Sequence, residues 1–300
     1  MPTGRNSIHL FKCFGINVFL HWSWFLVAVY GFKYRTGIYS SIMWNIFEYL
    51  TLFLIVLLHE FGHALACRSV GGQAHEIVLW PLGGVAYASP PARPGATLWT
   101  IAAGPLVNVA LVPIFSAFWW IAATANWSDN LYHFIIAAWA INLGLLIFNM
   151  LPVYPLDGGQ ILRALLWFPL GRARSLMVAC VVGFLGAAGL AALAIWLQSV
   201  WLGLICVLNF FYCFRSFGQA REMLRQSDAP RREGYVCPQC HIAPPVGDYW
   251  HCGRCRKGFD PFATHLACPH CGAQHSHIPC LDCGHPAAPG DWVPGELAKL

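Results

Sequence analysis

At 300 residues, 57% hydrophobic and only 10% charged, with a mean hydropathy of +0.54, the chain does not have the composition of a soluble globular domain, in which about a quarter of residues are charged. The formal charge of +5 is modest and does not by itself imply a nucleic-acid partner. Charge is sparse between residues 17 and 215 and ordinary from 216 onward, so the composition points to a polytopic membrane domain followed by a small soluble one.

The amino-terminal stretch places Arg5 and Lys12 ahead of an apolar run with no small-residue cleavage site after it, which reads as a retained first span. Hydropathy predicts about six spans, at Ile16–Phe32, Ile42–Ala66, Leu98–Thr124, Leu131–Met150, Ser175–Leu197 and Val200–Phe214, each near the roughly 20 residues a bilayer requires except the last. Only Gln198 and Ser199 separate the final two, which therefore form a tight hairpin. Basic residues cluster in the amino tail, after span two (Arg68, Arg93), after span four (Arg163, Arg172, Arg174) and after span six (Arg215, Arg221, Arg225, Arg231, Arg232). Only Lys33 and Arg35 dissent, so the bias predicts a multi-pass protein of the cell membrane with both termini in the cytoplasm.

Span two contains His59-Glu60-Phe61-Gly62-His63. On a helix, positions i and i+4 share a face, so His59 and His63 can present two imidazoles to one Zn²⁺, and Glu60 stands beside them as a proton acceptor for water. From Trp44 to Ala66 the only other acidic, basic or imidazole side chain is Glu48. Ionisable groups at membrane depth are costly unless they face a cavity or a metal. The plainer alternative is a buried core helix with hydrogen-bonded histidines.

The predicted orientation brings the end of span four to a similar depth. There the chain reads Asn149-Met-Leu-Pro152-Val-Tyr-Pro155-Leu-Asp157-Gly158-Gly159. Two prolines break the helix, and broken helix at membrane depth belongs inside protein or beside a cavity. Asp157 is placed to be the third ligand, with the alternative that it merely caps the following helix.

Together these motifs resemble the site-2 protease family of intramembrane zinc metalloproteases, and Gly104-Pro105-Leu-Val-Asn108 in span three is similar to a third element of that family. The resemblance covers roughly residues 10–215. It implies His59, His63 and Asp157 as ligands of a catalytic zinc, Glu60 as general base, and Asn149 near the scissile carbonyl. It also implies a membrane-associated hairpin, which His75–Trp80 and Gly84–Tyr87 fit as two short strands; its edge could pair with an unwound substrate, although a plain interfacial loop fits as well. His21 and His133 are isolated and read as packed or interfacial residues.

After a polar linker (218–234) come four C-x₂-C knuckles: Cys237/Cys240, Cys252/Cys255, Cys268/Cys271 and Cys280/Cys283. Repeated knuckles signal zinc, here two structural ions in a double zinc ribbon over residues 235–286, followed by a tail (287–300). Successive knuckles are expected to pair, one with two and three with four; an interleaved pairing, one with three and two with four, is the runner-up. A disulfide framework conflicts with a reducing cytoplasm. From Cys237 onward there are four basic and five acidic residues and no basic stripe, which favours a cytoplasmic protein partner over nucleic acid.

The expected architecture is an all-α polytopic membrane domain (1–217) with a short β-hairpin, plus a small zinc-ribbon domain. The expected function is a zinc endopeptidase that cuts a transmembrane-segment bond of a membrane protein, as in regulated intramembrane proteolysis. Its cofactors would be one catalytic and two structural Zn²⁺, and its surroundings the lipid bilayer. Two alternatives stay open: a catalytically silent membrane scaffold recruiting cytoplasmic partners through its ribbons, and a membrane metal carrier or sensor.

Overall fold

The structure, a computed structural model, describes residues 7–293 apart from 27–28, 30–34, 36, 81–82 and 126. The chain divides into two compact units, Met1–Phe217 and Gly218–Leu300.

Five helices among the described residues are long and apolar enough to cross a membrane. They belong to α1 (Ile42–Ser69), α2 (Pro94–Thr124), α3 (Asp129–Asn149), α4 (Asp157–Trp196) and α5 (Val200–Ser227). The most apolar stretch of α1 is half buried, against 11% for α2, so α1 is the enclosed helix. It packs on α2, on α3 and on a small sheet.

That sheet is larger than the expected hairpin. Strands β1 (Ser7–Cys13), β2 (Ile16–His21), β3 (Gln73–Trp80) and β4 (Gly83–Ser89) lie in the order β1-β2-β3-β4. The β2–β3 pairing is parallel and the other two are antiparallel. The expected first span, Ile16–Phe32, is thus corrected at its start. Ile16 and Val18, both 0% exposed, alternate along β2 and pack with Ile77, Leu79, Val56 and Leu57; β-branched side chains with one buried face suit a strand. Much of the rest of that segment, with Arg5, Lys33, Pro81 and Leu82, lies outside the described residues. His21 is buried with its ring stacked 3.9 Å from that of Trp80, a packed residue as expected.

The 40-residue α4 also differs from the single span expected at Ser175–Leu197. A straight helix of that length would measure about 60 Å, twice the hydrocarbon thickness. Gly171 divides it, at φ 77° and ψ 173°, a conformation that favours glycine. The first segment carries Asp157 and the second is the predicted span. The α4–α5 hairpin turns at Gln198, also at positive φ. Instead of ending at Phe214, α5 continues to Ser227, so part of the predicted linker is helical.

Candidate metal centre

His59 and His63 sit one turn apart on α1, 5% and 7% exposed. Asp157, the first residue of α4, comes to the same point. Its Oδ2 lies 3.0 Å from His59 Nε2 and 3.5 Å from His63 Nε2, and the two Nε2 atoms are 3.1 Å apart. Ligands at about 2.0–2.1 Å from one tetrahedral ion stand about 3.3 Å from each other, so the triangle fits a zinc ion. Asp157 is the first helical residue of α4 and not its N-cap, which is Leu156.

The surroundings of the triangle point its atoms inward. His63 Nδ1 lies 2.9 Å from the Thr100 carbonyl oxygen, which can only accept, so Nδ1 carries the hydrogen and Nε2 presents its lone pair. His59 Nδ1 meets Asn108 Oδ1 at 2.6 Å. Asp157 Oδ2 is buried without a hydrogen-bond donor. An imidazole lone pair and a carboxylate oxygen aimed at one point repel unless a cation shares them.

Glycines permit the close approaches that build this centre. A Cβ on Gly104 would lie 2.2 Å from His63 Nε2, and one on Gly62 2.7 Å from the Ala103 carbonyl oxygen. The α1–α2 contact therefore depends on small residues, as helix packing in lipid commonly does. Gly158 and Gly159 serve by absence of a side chain as well: a Cβ there would come within 2.4 Å of the Met150 carbonyl oxygen and 2.5 Å of the Tyr154 nitrogen. They let the 150–156 turn fold onto the start of α4.

Glu60, 5% exposed, faces the sheet, and its Oε2 accepts a hydrogen bond from the Ala86 N–H of β4 at 2.9 Å. Gly84 lies directly over it, since a Cβ there would stand 2.2 Å from Glu60 Cγ. Gly84→Ala is expected to displace the carboxylate and break its hydrogen bond to the Ala86 N–H, with the metal affinity of the His59–His63–Asp157 triangle unchanged; a structure of the variant and its metal content check this. Asn149 ends α3, half-buried, and makes no hydrogen bond to the cluster among the described residues.

A sequence profile of peptidase family M50 matches residues 47–123 and 112–193, a range that holds all three motifs. The chain belongs to that family. It is 34% identical over 221 residues to a zinc metalloprotease of Methanocaldococcus jannaschii, covering 72% of this chain and 60% of that protein. It is 32% identical over 225 residues to Rip3 of Mycobacterium tuberculosis, covering 67% and 56%. The chain thus spans about three fifths or less of these two relatives. The solved site-2 protease from M. jannaschii is similar at 27% identity and a TM-score of 0.51, over 70% of this chain and 95% of that one.

The family resemblance read from the motifs is therefore borne out, and the M50 match ends before the cysteine knuckles. Sequence reasoning quoted Asn108 without a role and missed Asn142 of α3, which hydrogen-bonds it. The available signal was an amide inside an apolar span, which demands a partner.

The second unit contains two further clusters, and their pairing corrects both sequence expectations. Cys237 and Cys240 meet Cys280 and Cys283, while Cys252 and Cys255 meet Cys268 and Cys271. The arrangement is nested, one with four and two with three. Cross-pair Sγ–Sγ distances are 3.6–3.7 Å, too long for disulfides and close to the roughly 3.8 Å edge of a tetrahedral Zn–S₄ site. The aromatic core explains the nesting. Phe262 contacts Tyr235, Trp250 and Trp292 edge-on, and Val236 N–H donates to the Trp292 carbonyl oxygen at 2.8 Å. The module's two ends thus meet, carrying knuckle one to knuckle four. In each knuckle the residue after the second cysteine (His241, Arg256, Gly272, Gly284) takes positive φ. In the second knuckle, the Cys255 and Arg254 backbone N–H groups bring the Cys252 thiol down to about 5, which favours the thiolate a metal needs.

Proposed function

We propose that the chain is an intramembrane zinc endopeptidase that cuts a membrane protein at or near its transmembrane segment. The observation that carries this reading is the convergence of His59 Nε2, His63 Nε2 and Asp157 Oδ2 on one buried point, with Glu60 adjacent in sequence. A zinc ion held by those three residues supplies a Lewis acid and an acidified water. Glu60 accepts a proton from the attacking water at its carboxylate and passes it to the leaving amine. Asn149, close in sequence to Asp157, donates its amide N–H to the developing oxyanion. A helical peptide bond in lipid has its backbone groups satisfied, so the substrate must unwind before attack. The edge of β4 beside Glu60 offers an unwound segment strand-like pairing.

The basic residues flanking the spans support an orientation with both termini in the cytoplasm. There the two Cys₄ clusters would hold structural zinc ions and contact a protein partner. Co-expression with candidate single-span membrane proteins tests the central reading. A shortened fragment should appear with the wild type and not with Asp157→Ala; the same fragments with both would overturn it.

A further inference from the structure

We infer that Asn142 is a positioning residue, acting through Asn108 to hold His59 in the ring tautomer whose Nε2 lone pair faces the metal. This rests on the reading of His59 as a zinc ligand.

Asn108 on α2 and Asn142 on α3 are 0% and 1% exposed, inside two of the helices apolar enough to cross a membrane. An amide has a donor end and an acceptor end, and only its partners decide which way it points. Here the partners form a chain with one consistent assignment. Asn142 Nδ2 lies 3.0 Å from the Asn108 backbone carbonyl oxygen, which can only accept, so the donor end of Asn142 points there. Asn142 Oδ1 then faces Asn108 and accepts from its Nδ2 at 2.8 Å. The remaining end of Asn108 is its Oδ1, 2.6 Å from His59 Nδ1. The hydrogen must therefore sit on His59 Nδ1, and Nε2 is left with its lone pair toward His63 and Asp157. A backbone carbonyl at one end of the relay thus sets the state of a ligand at the other. His63 reaches the same state through the Thr100 carbonyl directly. Without Asn142, the Asn108 amide can turn over and present Nδ2 to His59, favouring the tautomer that carries hydrogen on Nε2.

The test is a double-mutant cycle on purified full-length protein, with Co²⁺ as probe. A nitrogen–oxygen site and the tetrathiolate sites give separate absorption bands, so the third site is read by itself. Asn142→Leu should weaken Co²⁺ binding there by about 10–100-fold. In the Asn108→Asp background, where both ends of the side chain accept, no orientation is needed, and the same Asn142→Leu change should cost less than about threefold. Equal losses in both backgrounds would mean that Asn142 only packs, and no loss in either would mean that it does not act on His59; each overturns the relay. Should Asn142→Leu not fold, Asn142→Ala takes its place in the cycle. A wild type with no third cobalt site would overturn the zinc-protease reading itself, whereas coupling absent in a cobalt-binding wild type removes the relay alone.

Discussion

Glu60→Gln is expected to lower cleavage by about 10²–10⁴-fold, the usual contribution of a general base, while fold and zinc content stay at wild-type levels. Glutamine keeps the volume of Glu60, and its amide oxygen can still accept from Ala86 N–H as Oε2 does. What it lacks is the ability to take the proton of the attacking water. Product formation by a folded, zinc-loaded Glu60→Gln protein at near wild-type rate would remove Glu60 from the chemistry.

The second large effect concerns the cysteine knuckles. The core of the second unit is small, built around Trp250, Phe259, Ile278 and Trp292 and interleaved with the cysteines themselves. Structural zinc typically contributes about 10–16 kcal/mol of apparent binding free energy, which is folding free energy when the site does not exist unfolded. Chelation is therefore expected to unfold residues 237–292 in the full chain, seen as rapid proteolysis of that segment. The nested pairing makes a sharper forecast. Cys237→Ser with Cys283→Ser touches one cluster and should release about one zinc ion, whereas Cys237→Ser with Cys252→Ser touches both and should release about two. Pairing of successive knuckles demands the reverse order.

How much of this was legible in the sequence follows from how local each signal is. His59 and His63 are four residues apart and obey the helix period, and the Pro-broken stretch before Asp157 announces itself by composition, so the triangle could be anticipated. The β2 strand could not. Its buried Ile16 and Val18 alternate with Asn17 and Phe19, but Val18, Phe19 and Leu20 are consecutive apolar residues, so a hydropathy window sees an apolar run and not a period of two. Asn142 has no partner within its own helix, and its role exists only once α2 lies against α3. Cysteine spacing announced the knuckles but not their pairing. Gaps of 11, 12 and 8 residues allow several pairings, and the choice was made by Tyr235, Phe262 and Trp292 closing the module's ends. Nor does the sequence show why Gly158 and Gly159 are glycines: they are places where another backbone comes too close for a side chain.

Zinc counted on purified full-length wild type and Asp157→Ala, after mild chelation that spares the tetrathiolate sites, tests most directly whether one metal is held between α1 and α4. The three clusters predict about three ions per wild-type chain and about two in the variant. Equal counts in the two proteins, with His59 and His63 intact in both, would contradict a catalytic metal held by Asp157.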